Sequence, residues 1–83
     1  MNPKENQFPQ FGLCLSNERY AASLEVGKVY RVIRDDDAAA QGYIRVIDES
    51  GEDYAYTTDR FHLIQLPIAV EKALLAASRV LSK

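Results

Sequence analysis

The sequence predicts a mainly β fold: a small barrel of four to five antiparallel strands followed by a C-terminal α-helix. Three observations carry that expectation. Short runs rich in Val, Ile and Tyr alternate apolar and polar residues, with Gly, Asp and Ser between them. From Pro67 onward the apolar spacing changes from a period of two to a helical one. The chain has 83 residues, which is one domain with a modest core and little room for a second.

Residues 1–10 (MNPKENQFPQ) are polar, carry two prolines and show no period, so they read as a flexible tail. Phe8 and Phe11 are placed to pin its end to the body. In FGLCLSN, Leu13 and Leu15 fall on one face and Cys14 on the other, a short strand ending at the turn formers Ser16 and Asn17. SLEVGKVYRVIR, from Ser23 to Arg34, is the clearest strand signal. Tyr30 and Val32 share one face, and Val29, Arg31 and Ile33 the other. Gly27 marks an entry that needs an unusual backbone angle.

DDDAAAQG is an acidic loop with room for one helical turn through Ala38–Ala40. YIRVID returns as a strand, with Ile44, Val46 and Asp48 on one side and Tyr43, Arg45 and Ile47 on the other. ESGED makes a tight turn in which Gly51 supplies a positive φ. DYAYTT follows, with Tyr54 and Tyr56 on one face. Thr58 or Asp59 then opens a short helical turn leading to a last strand, Leu63–Leu66. Pro67 stands at a helix-start position, with Glu71 near the first turn and Arg79 and Lys83 near the end, which suits the helix dipole. Val70, Leu74, Ala77 and Leu81 form one apolar stripe. The expected organisation is thus a tail (1–10), a barrel (11–66) and a helix (67–83) packed on the barrel or on a partner.

The totals narrow the function classes. Hydrophobic residues at 47% and charged residues at 27% exclude a wholly disordered chain. Ten Lys and Arg are scattered among twelve acids, for a net charge of −2. That balance makes nucleic acid an unlikely partner, since nucleic-acid modules carry a basic stripe, and it disfavours anionic membranes equally. One cysteine makes no internal disulfide, and no apolar run reaches the roughly 18 residues of a membrane span. The first residues lack the apolar stretch of a signal peptide, so a cytoplasmic location is expected.

LEVGKVYRVI, the acidic loop, and YIRVIDESGEDYAYTTDRFHLIQL resemble the middle of an SH3-like barrel, from about Leu13 to Pro67. GKVYRVI is similar to its first apolar strand, YIRVIDESGEDYAY to its central hairpin, and TTDRFHLI to its short 3₁₀ turn and final strand. IRVIDESGEDY, followed by Phe61 and a Leu-Pro, resembles more closely a set of short bacterial proteins of no assigned function. The departures matter. SH3 domains that bind proline-rich peptides carry a tryptophan on the central strand and a proline in the final turn. Here Gly42 and Tyr43 stand near the first position, Tyr56 or Thr57 near the second, and the chain has no tryptophan. Polyproline recognition is not implied, and fold alone says little about function.

No residue set forms a catalytic constellation, so no enzyme, metal or cofactor is expected. His62 is the one histidine and lacks partners for a metal or a triad. Cys14, between leucines, reads as a small buried apolar residue rather than a reactive thiol. Ser16, Ser23, Ser50 and Ser78 have no base in their context. The acids Asp35-Asp36-Asp37 and Asp48-Glu49 with Glu52-Asp53 match no calcium-loop spacing, although Asp48 is placed to bond backbone amides across the Gly51 turn.

The aromatic residues are more informative. Tyr30, Tyr43, Tyr54, Tyr56 and Phe61 are too many for so small a core. Tyr30 and Tyr54 are expected inside, with Tyr43 and Tyr56 as an exposed contact pair. The stripe Val70, Leu74, Ala77 and Leu81 either covers the barrel or joins a second copy. The function expected is a non-catalytic protein–protein interaction module with an unidentified partner or a homodimer through the helix. The alternative is a nucleic-acid-binding barrel using Arg31, Arg34 and Arg45.

Overall fold

The computed structural model of this chain describes residues 9–81, and side chains as far as residue 77. Five strands form one antiparallel sheet: β1 (Phe11–Cys14), β2 (Val29–Ile33), β3 (Tyr43–Ile47), β4 (Asp53–Thr57) and β5 (Phe61–Ile64). A short helix α1 (Asp36–Ala40) joins β2 to β3, a 3₁₀ turn (Thr58–Arg60) joins β4 to β5, and α2 (Ile68–Leu81) follows. The strand order is β4-β3-β2-β1-β5. The sheet is open, with β4 and β5 as its edges.

Alternation explains the sidedness of β2 and β3. Tyr30 and Val32, with Ile44 and Val46, point inward and are buried, while Val29, Arg31, Tyr43 and Arg45 lie on the outer face. Register carries this across strands: Val32 stands opposite Val46, and Ile44 opposite Tyr56. The sheet curls enough to bring its two ends together at the rings. Phe61 of β5 lies 6.1 Å from Tyr56 of β4 and 6.3 Å from Tyr30 of β2, centroid to centroid. Cys14 and Leu24 complete this core. Burial pushes the Cys14 thiol up, so it is held away from the thiolate that nucleophilic chemistry needs.

Turn chemistry places the breaks. Gly27 and Gly51 adopt φ of 88° and 86°, the left-handed region that both turns were expected to need. Asp35 caps α1 by accepting from the Ala38 amide, which begins that helix two residues before the expected Ala38. The last strand also begins two residues early, at Phe61, because the 3₁₀ turn takes only Thr58–Arg60. The early part of the Ser23–Arg34 segment is loop and turn rather than strand, with Leu24 buried under the sheet.

Helix α2 was expected to pack on the barrel or on a partner, and its stripe does not take the first course. Val70, Leu74 and Ala77 do not cover the sheet; all three are exposed, and the Leu81 side chain lies outside the described residues. The half-buried positions are Glu71 and Leu75. The helix therefore turns toward β2 a face one residue round from the apolar stripe, about 100° of rotation. Its contact with the sheet is sparse. Of the expected tail, residues 1–8 lie outside the described residues, and Pro9 and Gln10 are half-buried.

Leu24 is 1% exposed and is the apolar anchor of the β1–β2 loop. Leu24→Ala should cost about 3 kcal/mol in denaturant unfolding, at the middle of the range for buried leucines. An unchanged midpoint would show that the loop does not depend on this side chain.

Candidate functional site

Chemical variety concentrates in a cleft of about 290 Å³ lined by Tyr20, Ser23, Asp48, Ser50, Tyr54, Ala55 and Tyr56. One wall is the β1–β2 loop. Arg19 takes a φ of 74°, uncommon for a residue with a Cβ, and the chain turns there so that Tyr20 reaches the cleft. The Tyr20 amide donates to the Asn17 carbonyl (2.8 Å), and the Tyr20 carbonyl accepts from the amides of Ser23 and Leu24 (2.9 Å each). Asn17 Nδ2 donates to the Leu24 carbonyl (3.1 Å), closing the turn from its side chain. The Tyr20 ring meets Tyr56 edge-on, centroids 5.0 Å apart. The Arg60 guanidinium covers Tyr20 at 4.8 Å from the ring centroid.

The opposite wall is the β3–β4 turn. Asp48 is 5% exposed, a charged residue almost wholly out of water. Its Oδ1 accepts from the Ser50 amide (2.9 Å) and from the Ser50 hydroxyl, and its Oδ2 accepts from the Tyr56 hydroxyl (2.7 Å). Burial pushes the Asp48 carboxyl up, but these donors outweigh it and hold the group below its ordinary range. It is therefore an anion at neutral pH. Burial, and after it the same bond, pushes Tyr56 up to about 12.

Glu49 fastens the two walls together. Its amide donates to the Ser23 carbonyl (2.9 Å), while its carboxylate accepts from Lys28 Nζ (2.6 Å) and from the Tyr30 hydroxyl. Tyr30 in turn accepts from the Glu25 amide (2.8 Å). The Lys28 bond, followed by the Tyr30 bond, holds the Glu49 carboxyl below its usual range. Tyr30 is pushed upward, first by burial and then by Glu49.

The expected contact tyrosines need correction. Tyr43 is exposed (43%), as expected, and lies on the outer face. Tyr56 is buried at 6%, because it stands opposite Ile44 on the inner face and its ring is enclosed by Tyr20 and Phe61. Tyr54, expected inside, is 51% exposed. It shares the face of Tyr56 but lies nearer the hairpin turn, at the cleft's rim. Tyr20 (43% exposed) escaped the sequence reading altogether. It belongs to a loop without alternation, so only its residue type could have flagged it.

The three arginines of the alternative reading do not form an open basic patch. Arg45 is held by Asp35 (2.9 Å) and Asp53 (3.3 Å), and Arg34 bonds Asp36 (3.1 Å). Arg31 is exposed on the outer face. A larger groove of about 650 Å³ separates β2 from α2, lined by Arg31, Arg34, Ile68, Glu71 and Leu75 among others. It is the space left where the helix packs loosely. Among the described residues, no group of three or more His, Cys, Asp and Glu is placed to hold a metal ion, and no helix is long and apolar enough to cross a membrane.

Tyr56→Phe deletes the buried donor to Asp48 and should cost about 2 kcal/mol, the usual scale for a bond to a charged group. Two pH effects fix the sign. Asp48 has a lowered folded value, so its contribution is present at neutral pH and is lost as pH falls through that value; removing the donor should move the acid-unfolding midpoint upward. Tyr56 ionises near 10 when unfolded but near 12 when folded, so wild-type stability should fall as pH rises between those values. Urea midpoints across both limbs measure this, and coincident profiles for wild type and variant would disprove the assigned bond.

No protein-family model, curated protein or solved structure gives a match to this chain.

Proposed function

We propose that this protein is a small, non-catalytic protein–protein interaction module that contacts its partner through the Tyr20–Tyr54–Asp48 cleft. One observation carries the reading. Two half-exposed tyrosines flank a concave site whose floor holds a buried, ordered carboxylate. Tyrosines at the rim of a cavity give large contact area at low entropic cost, with a hydroxyl for hydrogen bonding. The cleft's volume is at the low end for small-molecule pockets, roughly 300 to 1,000 Å³, which suits one inserted side chain better than a whole metabolite.

The chain path is that of an SH3-like barrel, in our reading. The strand order β4-β3-β2-β1-β5, the long β1–β2 loop and the 3₁₀ turn before β5 support it. The likeness of IRVIDESGEDY to short bacterial proteins points the same way, and a cytoplasmic location is part of the same proposal. Polyproline binding is not, for want of the tryptophan. Nucleic-acid binding is the weaker alternative, because Arg34 and Arg45 are engaged with carboxylates.

A second contact is supported by α2, whose exposed Val70, Leu74 and Ala77 suit a homodimer. Light scattering across a concentration series tests it. A dimer should form at high concentration and be lost in Leu74→Asp, whereas a strict monomer removes this contact.

Selection from a random peptide display library tests the cleft. Peptides should be enriched by the wild-type chain, and Tyr20→Ala and Tyr54→Ala should each weaken them about tenfold, as for aromatic contact residues. Peptides whose affinity ignores both variants would place the contact elsewhere.

A further inference from the structure

We propose that the cleft receives a lysine side chain from the partner, its primary ammonium seated over Asp48 between Tyr20 and Tyr54. This rests on the cleft being the contact site, and it adds the chemistry of what enters.

The first argument is charge. Asp48 is 5% exposed, and among the described residues no Lys, Arg or His lies within ion-pair distance of it. Four other acids differ: Glu49 has Lys28, Asp36 has Arg34, and Asp35 and Asp53 share Arg45. Arg60 lies on the Tyr20 ring, and no ion pair joins it to Asp48. A buried anion held only by neutral donors favours a cation in the adjoining cavity more strongly than an exposed one would, because water screens it less.

The second argument is the number of acceptor positions. A carboxylate offers two lone-pair sites on each oxygen. Oδ1 is filled by the Ser50 amide and hydroxyl, and Oδ2 carries the Tyr56 hydroxyl. The Asp48 amide also acts on the carboxyl, so at most one position is left for a further donor. A guanidinium gains its advantage from two parallel bonds to both oxygens, which this carboxylate has no room to accept. An ammonium is a point charge that needs only one bond here, and tyrosine hydroxyls and the Ser50 oxygen surround the cleft for its other protons. The aromatic walls suit the rest of the side chain, since the lysine stem is apolar and its head is attracted to ring faces.

The full chain, labelled with ¹⁵N, is titrated with n-butylammonium, n-butylguanidinium and N-butylacetamide, which present the lysine head, the arginine head and a neutral amide. Butylammonium should shift the amides of Ser23, Asp48, Ser50 and Tyr54 saturably. The acetamide should bind about tenfold more weakly, and the guanidinium roughly threefold more weakly, the order expected when one charge-assisted bond decides. Asp48→Asn should abolish the difference between the amine and the acetamide. If that variant fails to fold, Tyr54→Ala, at an exposed position, should weaken butylammonium about threefold with the remaining spectrum unchanged. Equal binding of acetamide and ammonium, tighter binding of guanidinium, or unsaturable shifts scattered over the acidic surface would each overturn the assignment. Selected peptides that need Tyr20 and Tyr54 but contain no lysine would overturn it too, while leaving the interaction module intact. Specific ammonium binding with no cleft-dependent peptide would do the reverse.

Discussion

The bond between the Asp48 carboxylate and the Tyr56 hydroxyl is the constraint on which this end of the molecule depends. Burying an ionised carboxylate costs several kcal/mol unless donors replace its water. Here they come from two elements at once: Ser50 in the β3–β4 turn, and Tyr56 from β4. The turn is therefore tied to the strand that leaves it, and the Tyr56 ring is fixed in angle. That ring is the surface against which Tyr20 packs edge-on and toward which Phe61 closes. Without the carboxylate, a phenol hydroxyl would be buried without an acceptor. Without the phenol, a charge would lose half of its side-chain donors. Each group makes the other's burial tolerable.

The β1–β2 loop depends on this arrangement, though it has no regular secondary structure of its own. Fourteen residues separate Cys14 from Val29, a length at which loops inside compact domains usually carry function or lack order. This one is ordered from three directions. Leu24 is driven inward by its apolar side chain, Tyr20 is clasped between Tyr56 and Arg60, and Glu49 reaches across to the Ser23 carbonyl, Lys28 and Tyr30. The Lys28–Glu49 pair is half-exposed and adds little by itself. Its worth is positional, because Glu49 also accepts the buried Tyr30 hydroxyl. A rigid scaffold carrying a long, pinned loop is the usual setting of a binding site.

Much of this fold was legible in the sequence. Alternation identified β2 and β3 and assigned Tyr30, Val32, Ile44 and Val46 to one side, because a half-buried strand has a period of exactly two. Gly51 and Gly27 were legible because only a positive φ closes those turns without strain. Three features were not. Alternation places Tyr54 and Tyr56 together on one face, but which of them is covered depends on what crosses above, and Tyr20 and Phe61 come from distant parts of the chain. The outward turn of Val70 and Leu74 was hidden for a related reason: a stripe shows that a helix has an apolar face, not which way it points. Tyr20 lies in a loop with no period at all. Tertiary packing decided each of these, and sequence spacing reports only local geometry.

Charge distribution separates the two faces of the sheet. On the outer face Arg45 lies between Asp35 and Asp53 and pairs with both, and α1 is anchored there by the same Asp35 that caps it. The Asp35 carboxyl is held low first by the Ala38 amide and then by Arg45, so one group serves both the helix and the ion pair. On the inner side the opposite holds. Asp48 is the most buried acid among the described residues and receives only hydroxyl and amide donors. The chain has ten basic residues, and among the described residues none forms an ion pair with Asp48. Those neutral donors compensate its burial without cancelling its charge, and the tyrosine-lined cavity lies beside it. A fold that admits a cation from outside gains specificity by it, because a neutral side chain in the same cleft would leave the charge as it was.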